Sequence, residues 1–213
     1  SAECAESRSD FRGGAGNRQH PAKDHPLVVE IHLVRHGRSA LVHDGSWFRW
    51  ADVHAYEDAY DAHGIRDDDR PSADLDVLLG ANPKIVASDL PRAIASAQRI
   101  APRHQVELSP LLREIRLEPP RWIPLRLPIQ VWDVFSHVQW SYRLFSDADH
   151  EYVRRAREAV DWLVDHAARS SNVVAVTHGG FRRILDARLV ARGWRRSSAK
   201  RSYSNWSVWS YRG

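Results

Sequence analysis

The sequence predicts an α/β fold in which helices are layered on a mainly parallel central sheet. Short runs rich in β-branched residues alternate with longer stretches of helical spacing, which is the order that parallel strands require. With 213 residues, 43% of them hydrophobic, the chain is long enough for one such domain and short for two. We therefore expect a three-layer α/β/α domain over 27–213, with a cap or lid over about 39–72 and 116–146.

The chain is expected to begin with a tail, a strand and a helix. Residues 1–26 are polar and lack periodicity, so we expect a disordered tail. Residues 27–34 are rich in β-branched residues and predict the first strand. Apolar residues spaced three and four apart over 47–60 predict a helix that ends at His63. The stretch 66–71 is expected to be a solvated loop, and its consecutive aspartates lack the alternation of a calcium loop.

Short elements are predicted for the middle of the chain. We expect a short helix over 74–79, a strand over 84–87, a helix over 91–101 and a brief strand over 106–108. The stretch 117–128 is punctuated by proline, so it cannot be regular, and it is long enough to form a lid.

The remaining chain is predicted to be mainly helical around one central strand. A helix over 129–145 is expected to bury an apolar stripe of Val131, Trp132, Phe135, Val138 and Tyr142. A capping box at Ser146 and Asp149 precedes a long amphipathic helix over 149–169. Its buried stripe is predicted to be Tyr152, Ala156, Ala159, Val160, Leu163 and Ala167. The last elements are a central strand over 173–177, a helix over 181–192 and an edge strand over 206–211.

Composition and charge exclude several classes of function. The net charge of +4 comes from 31 basic and 27 acidic residues without a long basic block, so we expect no nucleic-acid partner. Because no apolar run approaches the roughly 18 residues that span a bilayer, we expect a cytoplasmic protein without a membrane partner. The single cysteine, Cys4, excludes an internal disulfide and a zinc site built from cysteines.

Chemically versatile residues follow three of the predicted strands. They are Arg35-His36-Gly37, the run from Ser88 to Arg92, and His178-Gly179-Gly180. Ligands of open α/β sheets bind at the carboxyl ends of the strands, and two of these turns lead into helices whose N-termini attract anions. Two arginines and two histidines gathered there would repel one another unless a group of about two negative charges lay between them. A phosphoryl group meets that requirement.

The sequence here resembles the histidine phosphatase superfamily, the phosphoglycerate mutase-like group. Four motifs carry the resemblance over about 28–211: Arg35-His36-Gly37 with Ser39, the run Ser88-Asp89-Leu90-Pro91-Arg92-Ala93, Leu112-Arg113-Glu114-Ile115, and Thr177-His178-Gly179-Gly180. The resemblance implies a phosphoglycerate mutase-like fold and a reaction that uses no metal or other cofactor. It implies that His36 attacks phosphorus, that Arg35 and Arg92 hold the phosphoryl oxygens, that His178 assists them, and that Glu114 is the proton donor.

Some roles have alternatives that the sequence leaves open. Glu118 lies close to Glu114 and is the alternative proton donor. Ser39 either contacts phosphate, together with the backbone at Gly37 and Gly179, or caps a following helix. A second hypothesis concerns the predicted lid, where Arg116, Arg121, Trp122 and Arg126 would hold a further anionic or an aromatic group on the substrate. The alternative is that Trp122, Trp132 and Trp140 fill the core of the cap. The other histidines are expected on the surface or in packing.

Departures from the mutase pattern indicate what the enzyme does with the phosphoryl group. Val42 stands where the mutases usually carry asparagine, and the stretch after Glu114 lacks their glycine. Without the contacts that retain the substrate, water is the expected acceptor. The sequence therefore predicts a phosphatase of the histidine acid phosphatase type that acts on a phosphorylated small molecule, with a phosphohistidine protein as another candidate substrate. A mutase, a non-catalytic phospho-ligand-binding module and a homodimer are the alternatives left open.

Overall fold

The structure is a computed structural model that describes residues 28–71, 75, 78–79, 82–116, 118–146, 150–198 and 201–213, without the side chains of residues 140 and 142–146. The predicted tail over 1–26, most of the predicted helix over 74–79 and most of the predicted capping box over 146–149 lie outside the described residues. Within those residues, no helix is both long and apolar enough to cross a bilayer.

A six-stranded sheet forms the centre of the fold. It contains β1 (Glu30–Arg35), β3 (Lys84–Ser88), β4 (Val106–Ser109), β6 (Asn172–Thr177), β7 (Arg195–Arg196) and β8 (Val208–Arg212), in the order β4-β3-β6-β1-β8-β7. The first four strands of that order run parallel, whereas β8 and β7 are antiparallel to their neighbours. The predicted mainly parallel central sheet is confirmed. The prediction that the last strand is an edge was wrong, because the two-residue strand β7 pairs with its outer side.

Helices cover both faces of this sheet, as the three-layer prediction requires. The helices are α1 (Val53–Ala62), α2 (Pro91–Ile100), α3 (Ile129–Ser146), α4 (Glu151–Ser170) and α5 (Gly179–Ala191). Successive side chains of a strand point to opposite faces. Accordingly, Leu33 packs in the core beneath α4 and α5, while Val34 packs in the core beneath α2. The predicted buried stripe of α4 is confirmed, since all six of its residues are buried.

The cap is a small packed unit of its own. A two-stranded ribbon joins β2 (Trp47–Phe48) to β5 (Leu127–Pro128), and a third core contains Val53, Ile123, Ile129 and Trp132. The helix predicted over 47–60 therefore begins later, after a 3₁₀ turn at Trp50–Asp52. The predicted irregular stretch over 117–128 ends in a strand. Both differences from the prediction result from the pairing of β2 with β5, two segments that are distant in the sequence. The local spacing of apolar residues carries no information about such pairing.

The apolar stripe predicted for α3 is only partly buried. Trp132 is fully buried and its indole N–H donates to the carbonyl of Phe48 at 2.8 Å. Phe135 and Val138, however, are 37% and 66% exposed. The cap core is too small to cover the whole stripe. The polar face of the same helix faces a cavity between the cap and the sheet.

Candidate active site

The carboxyl ends of β1 and β6 bring two of the predicted motifs together. Arg35 lies opposite Thr177 in the parallel ladder, and the backbone N–H of His36 donates to the carbonyl of Thr177 at 3.0 Å. The residue that follows each strand is a histidine, and the ring centres of His36 and His178 are 5.0 Å apart. The expected convergence of these two strand ends is therefore present.

The turn after β1 is held by close packing and by hydrogen bonds. A Cβ atom on Gly37 would lie 2.5 Å from the ring of Trp206, so no larger residue fits there without displacement. The backbone N–H of Gly37 donates to Ser96 Oγ at 2.9 Å. The amide of Asn205 donates to the carbonyls of His36 and Gly37 at 2.9 and 3.1 Å. The backbone that carries the His36 imidazole is thus fixed from two sides.

Asp69 supports the same turn, although the sequence placed it in a solvated loop. That prediction was wrong for this residue, because its side chain is buried. One carboxylate oxygen accepts hydrogen bonds from the backbone N–H of Arg38 and from the indole N–H of Trp206, both at 2.6 Å. The other oxygen accepts from the guanidinium of Arg38 at 2.7 Å. Asp69 therefore links the turn after β1 to the segment before β8.

We expect Asp69→Ala to lower the free energy of unfolding by roughly 2–4 kcal/mol, since it leaves a buried indole N–H and a backbone N–H without their acceptor. The neighbouring variant Asp68→Ala is the matched control, because that side chain is 65% exposed and forms an ion pair with the guanidinium of Arg66. It is expected to cost less than about 1 kcal/mol. Urea unfolding of both variants checks this, and equal losses would contradict the anchoring role of Asp69.

The His36 imidazole is oriented and neutral. Its Nδ1 lies 2.6 Å from the carbonyl oxygen of Gly37. A carbonyl only accepts hydrogen bonds, so Nδ1 carries the proton and Nε2 keeps its lone pair. Burial, followed by the guanidinium of Arg92, lowers the pKa of His36 to about 3. A neutral imidazole with a fixed tautomer is the form that acts as a nucleophile.

His178 is fully buried directly beside His36. Neither of its ring nitrogens has a hydrogen-bond partner among the residues that the structure describes. Burial, together with the neighbouring His36 and Arg92, holds the pKa of His178 well below its ordinary value. A buried polar group without a partner is costly, and in native structures it calls for an explanation. A ligand bound above His36 would supply the missing partner.

The two lowered pKa values predict how stability depends on pH. Between the ordinary histidine pKa of 6.5 and the folded value of about 3 for His36, the unfolded chain binds more protons than the native protein. We therefore expect the contribution of these imidazoles to be complete above pH 6.5 and to be lost progressively as the pH falls below it. Thermal melts between pH 7.5 and 4.5 should show a shallower slope for His36→Gln than for the wild type. An unchanged slope would contradict the assignment.

Two arginines lie at the floor of the cavity with His36. Arg92 is 1% exposed, it stacks 4.5 Å over the ring of Tyr60, and its Nη1 donates to a carboxylate oxygen of Asp61 at 2.8 Å. Arg35 donates through Nη1 to the carbonyl of Tyr203. In both arginines Nε is buried and has no partner in the described part of the chain. Each guanidinium thus retains donors for an anion.

Glu114 lies at the N-terminus of α5. Its carboxylate accepts backbone hydrogen bonds from Gly180 at 3.1 Å and from Phe181 at 2.7 Å, which is the favourable position for an anion on the helix dipole. A Cβ atom on Gly180 would lie 2.9 Å from Oε1 of Glu114, so the glycine allows this close approach. Glu114 lines the cavity, whereas Glu118, the alternative proton donor, does not.

These groups share one cavity of about 330 Å³ between the sheet and the cap. Arg35, His36, Arg92 and Glu114 line it, and His178 lies next to His36. The other predicted contact residues, Ser39, Gly37 and Gly179, are not among those that line the cavity. The Oγ of Ser39 accepts a hydrogen bond from the backbone N–H of Leu41 at 3.2 Å. Gly37 packs on Trp206, and a Cβ on Gly179 would lie 3.1 Å from Nε of Arg35.

Of the arginines of the predicted lid, Arg116 is the one among the described residues that lines the cavity. Arg121 is exposed and lies 5.5 Å from the ring centre of Trp50, outside the cavity. Arg116 does line the cavity, but its guanidinium donates to Asp58 at 2.6 Å. Sequence reasoning missed the polar faces of the two cap helices, although residues three and four apart over 56–61 and 130–137 lie on one face of a helix.

Comparison with known proteins places this geometry in a family. The histidine phosphatase superfamily (branch 1) matches residues 31–210. A mycobacterial glucosyl-3-phosphoglycerate phosphatase in complex with VO3 is 26% identical with a TM-score of 0.50, over 76% of this chain and 82% of that one. Mycobacterial hydrolase 2 is 23% identical with a TM-score of 0.51, over 87% of this chain and 82% of that one. A comparison with curated proteins found no match. The chain belongs to the histidine phosphatase superfamily.

Proposed function

We propose that the protein is a phosphomonoesterase that works through a phosphohistidine at His36. The observation that carries the proposal is the floor of the cavity, where a neutral imidazole with an available Nε2 lies beside the guanidinium groups of the buried Arg92 and the half-buried Arg35. Fixed cationic donors stabilise the charge that develops on the equatorial oxygens during phosphoryl transfer. Catalysis then needs only an acid for the leaving alcohol.

In the first step, Nε2 of His36 bonds to phosphorus while the bond from phosphorus to the ester oxygen breaks. The protonated form of Glu114 gives its proton to the departing oxygen, so an alcohol leaves and a carboxylate remains. Arg35 and Arg92 hold the equatorial oxygens in bidentate contacts. The backbone N–H groups of Ile115, Gly180 and Phe181 donate to the side chain of Glu114 and fix it in place. Glu114 and the nucleophile His36 line the same cavity.

In the second step, water attacks the phosphohistidine. Glu114 accepts a proton from the water, the bond between phosphorus and Nε2 breaks, and inorganic phosphate leaves with His36 restored to its neutral form. His178 acts in both steps. A phosphoryl dianion beside it favours the charged imidazolium, because an opposite charge raises the pKa of a buried histidine. His178 then donates a hydrogen bond to a phosphoryl oxygen and supplies a third positive charge.

Hydrolysis is favoured over mutase chemistry by contacts that the described residues do not supply. Retaining the substrate between two half-reactions requires groups that hold its second anion, and the lid arginine Arg121 lies outside the cavity. The relative that is 26% identical is itself a phosphatase, and its structure was solved with VO3, which resembles a phosphoryl group during transfer. A purely phosphate-binding module would not require both the nucleophile and the acid.

The direct test is hydrolysis of p-nitrophenyl phosphate in the presence of EDTA, with inorganic phosphate measured as the product. We expect turnover that EDTA does not change. A parallel assay follows the interconversion of 2- and 3-phosphoglycerate. Isomerisation without release of phosphate would favour the mutase, loss of activity in EDTA would contradict the metal-independent route, and phosphate binding without turnover of any ester would favour the binding module.

A further inference from the structure

The two cap helices present polar faces to the same cavity. From α1 these are Tyr56, Glu57, Tyr60 and Asp61, and from α3 they are Gln130, Asp133, Ser136 and His137. Both sets follow the three- and four-residue spacing of one helix face. The proposed chemistry at His36 uses none of these side chains directly, so this half of the cavity remains for the alcohol part of a substrate.

Charge is distributed unevenly along the cavity. Its floor is cationic and buried, with His36 and Arg92 at 2% and 1% exposure. The cap helices add carboxylates to the wall of the cavity, and the side chains of Glu57, Asp61 and Asp133 are 14%, 38% and 52% exposed. We refer to these three residues as the acidic rim. A phosphomonoester therefore meets guanidinium groups at its phosphate and carboxylate groups at its other end.

The cations near the acidic rim are engaged with carboxylates. The guanidinium of Arg116 donates to Asp58 at 2.6 Å, and its Nε lies 3.7 Å from Glu57. The ring of His137 lies 3.2 Å from Asp133, and this hydrogen bond raises the pKa of His137. Arg116 is thus not aimed at a ligand as an unpaired cation, and a second anion on the substrate would meet the acidic rim.

An independent feature on the same wall points to a polar ligand. Ser136 lines the cavity and is 2% exposed, yet its hydroxyl has no hydrogen-bond partner within the residues described. A buried hydroxyl usually finds one, and its absence costs free energy. Ser136 lies one helical turn after Asp133, so one ligand group could bond to both. The hydroxyl both donates and accepts, whereas the carboxylate only accepts.

We propose that the acidic rim and Ser136 select phosphomonoesters whose alcohol carries hydroxyl or ammonium donors and no second anionic group. The proposal rests on the function proposed above and adds the class of substrate to it. Carboxylates accept hydrogen bonds from hydroxyl and ammonium groups and repel another carboxylate. This class differs from that of an enzyme built to hold a carboxylated phosphate.

Glycerol 3-phosphate and 3-phosphoglycerate form the critical pair, because they differ only in a hydroxymethyl group against a carboxylate. We expect the kcat/KM of the wild type to be roughly tenfold or more higher for glycerol 3-phosphate than for 3-phosphoglycerate. The reason is repulsion between the carboxylates of the acidic rim and the carboxylate of 3-phosphoglycerate, which water in the cavity partly screens. O-Phosphoethanolamine separates the two kinds of donor. A kcat/KM higher than that for glycerol 3-phosphate would show that the acidic rim prefers an ammonium group, and a lower kcat/KM would show that it prefers hydroxyl groups.

Asp133→Asn tests whether the rim is the cause. Asp133 is chosen because Asp61 bonds to Arg92 and its loss would disturb the phosphate contacts. We expect the preference for glycerol 3-phosphate to fall by about threefold to tenfold in Asp133→Asn. Asp165→Asn, at an exposed aspartate of α4 away from the cavity, is the matched control and should keep the preference of the wild type.

The outcomes separate this proposal from the proposed function. No preference in the wild type, a preference for 3-phosphoglycerate, or an unchanged ratio in Asp133→Asn would overturn the substrate class while p-nitrophenyl phosphate turnover still supported the phosphatase. If that turnover is absent, calorimetric binding of the same pair to the wild-type protein decides: tighter binding of glycerol 3-phosphate upholds the selectivity of the rim, and equal or weaker binding overturns it.

Discussion

Replacing His36 with alanine is expected to lower kcat for phosphate monoesters by roughly 10⁴-fold or more, which is the usual cost of removing a covalent nucleophile. The imidazole is fixed by the carbonyl of Gly37, and His36 lines the cavity. Binding of inorganic phosphate should persist in His36→Ala, because Arg35 and Arg92 remain. Steady-state kinetics and calorimetry measure the two effects separately.

His104→Ala is the control for this prediction. His104 is a half-buried histidine whose Nε2 lies 3.1 Å from the side-chain oxygen of Asn82, and it is not among the residues that line the cavity. Its removal should leave kcat unchanged within experimental scatter. Added imidazole should restore part of the activity of His36→Ala, since the deleted ring leaves room for it. Activity of His36→Ala within tenfold of the wild type would refute nucleophilic attack by this residue.

Glu114→Gln is expected to produce a loss that depends on the leaving group. For alkyl phosphates, which need a proton on the departing oxygen, we expect kcat to fall by about 10²- to 10⁴-fold. Nitrophenolate leaves without that proton, so formation of the phosphohistidine should be affected much less. Hydrolysis of the intermediate still needs a base. Rapid-mixing experiments with p-nitrophenyl phosphate should therefore show a burst of nitrophenolate followed by a slow steady state.

Glu118→Gln provides the comparison, because Glu118 was the alternative acid and lies outside the cavity. It should retain the kinetics of the wild type on both kinds of ester. Thermal melts are needed for Glu114→Gln, since an amide cannot accept from Gly180 and Phe181 through both terminal atoms as the carboxylate does. A uniform loss on alkyl and aryl esters without a burst would count against Glu114 as the proton donor.

The sequence predicted the parts of the fold that depend on local pattern. Runs of hydrophobic residues predict the central strands, and parallel strands have their carboxyl ends at the same edge of the sheet. The same reasoning predicts that His36 and His178 lie close together, and their ring centres are 5.0 Å apart. The buried face of α4 was predicted for the same reason, because a long periodic helix needs no distant partner to define its apolar side.

The remaining features depend on contacts between distant residues. Three consecutive aspartates look alike in the sequence, and contacts with Arg38 and with the indole of Trp206, 137 positions away from Asp69, distinguish Asp69 from its neighbours. The cap depends on pairing of Trp47 with Pro128, which no local spacing reveals. The lid arginine Arg121 was given a role from its charge alone. Its place beside Trp50 follows from the packing of the cap.

Trapping the covalent intermediate tests the account most directly. The enzyme is mixed with an aryl phosphate, quenched in base within milliseconds and digested, and the phosphorylated peptide is located by mass spectrometry. We predict phosphate on His36, stable in base and lost in acid, and absent from His36→Ala. Turnover without any acid-labile phosphate at His36, or a label on another residue, would contradict the account.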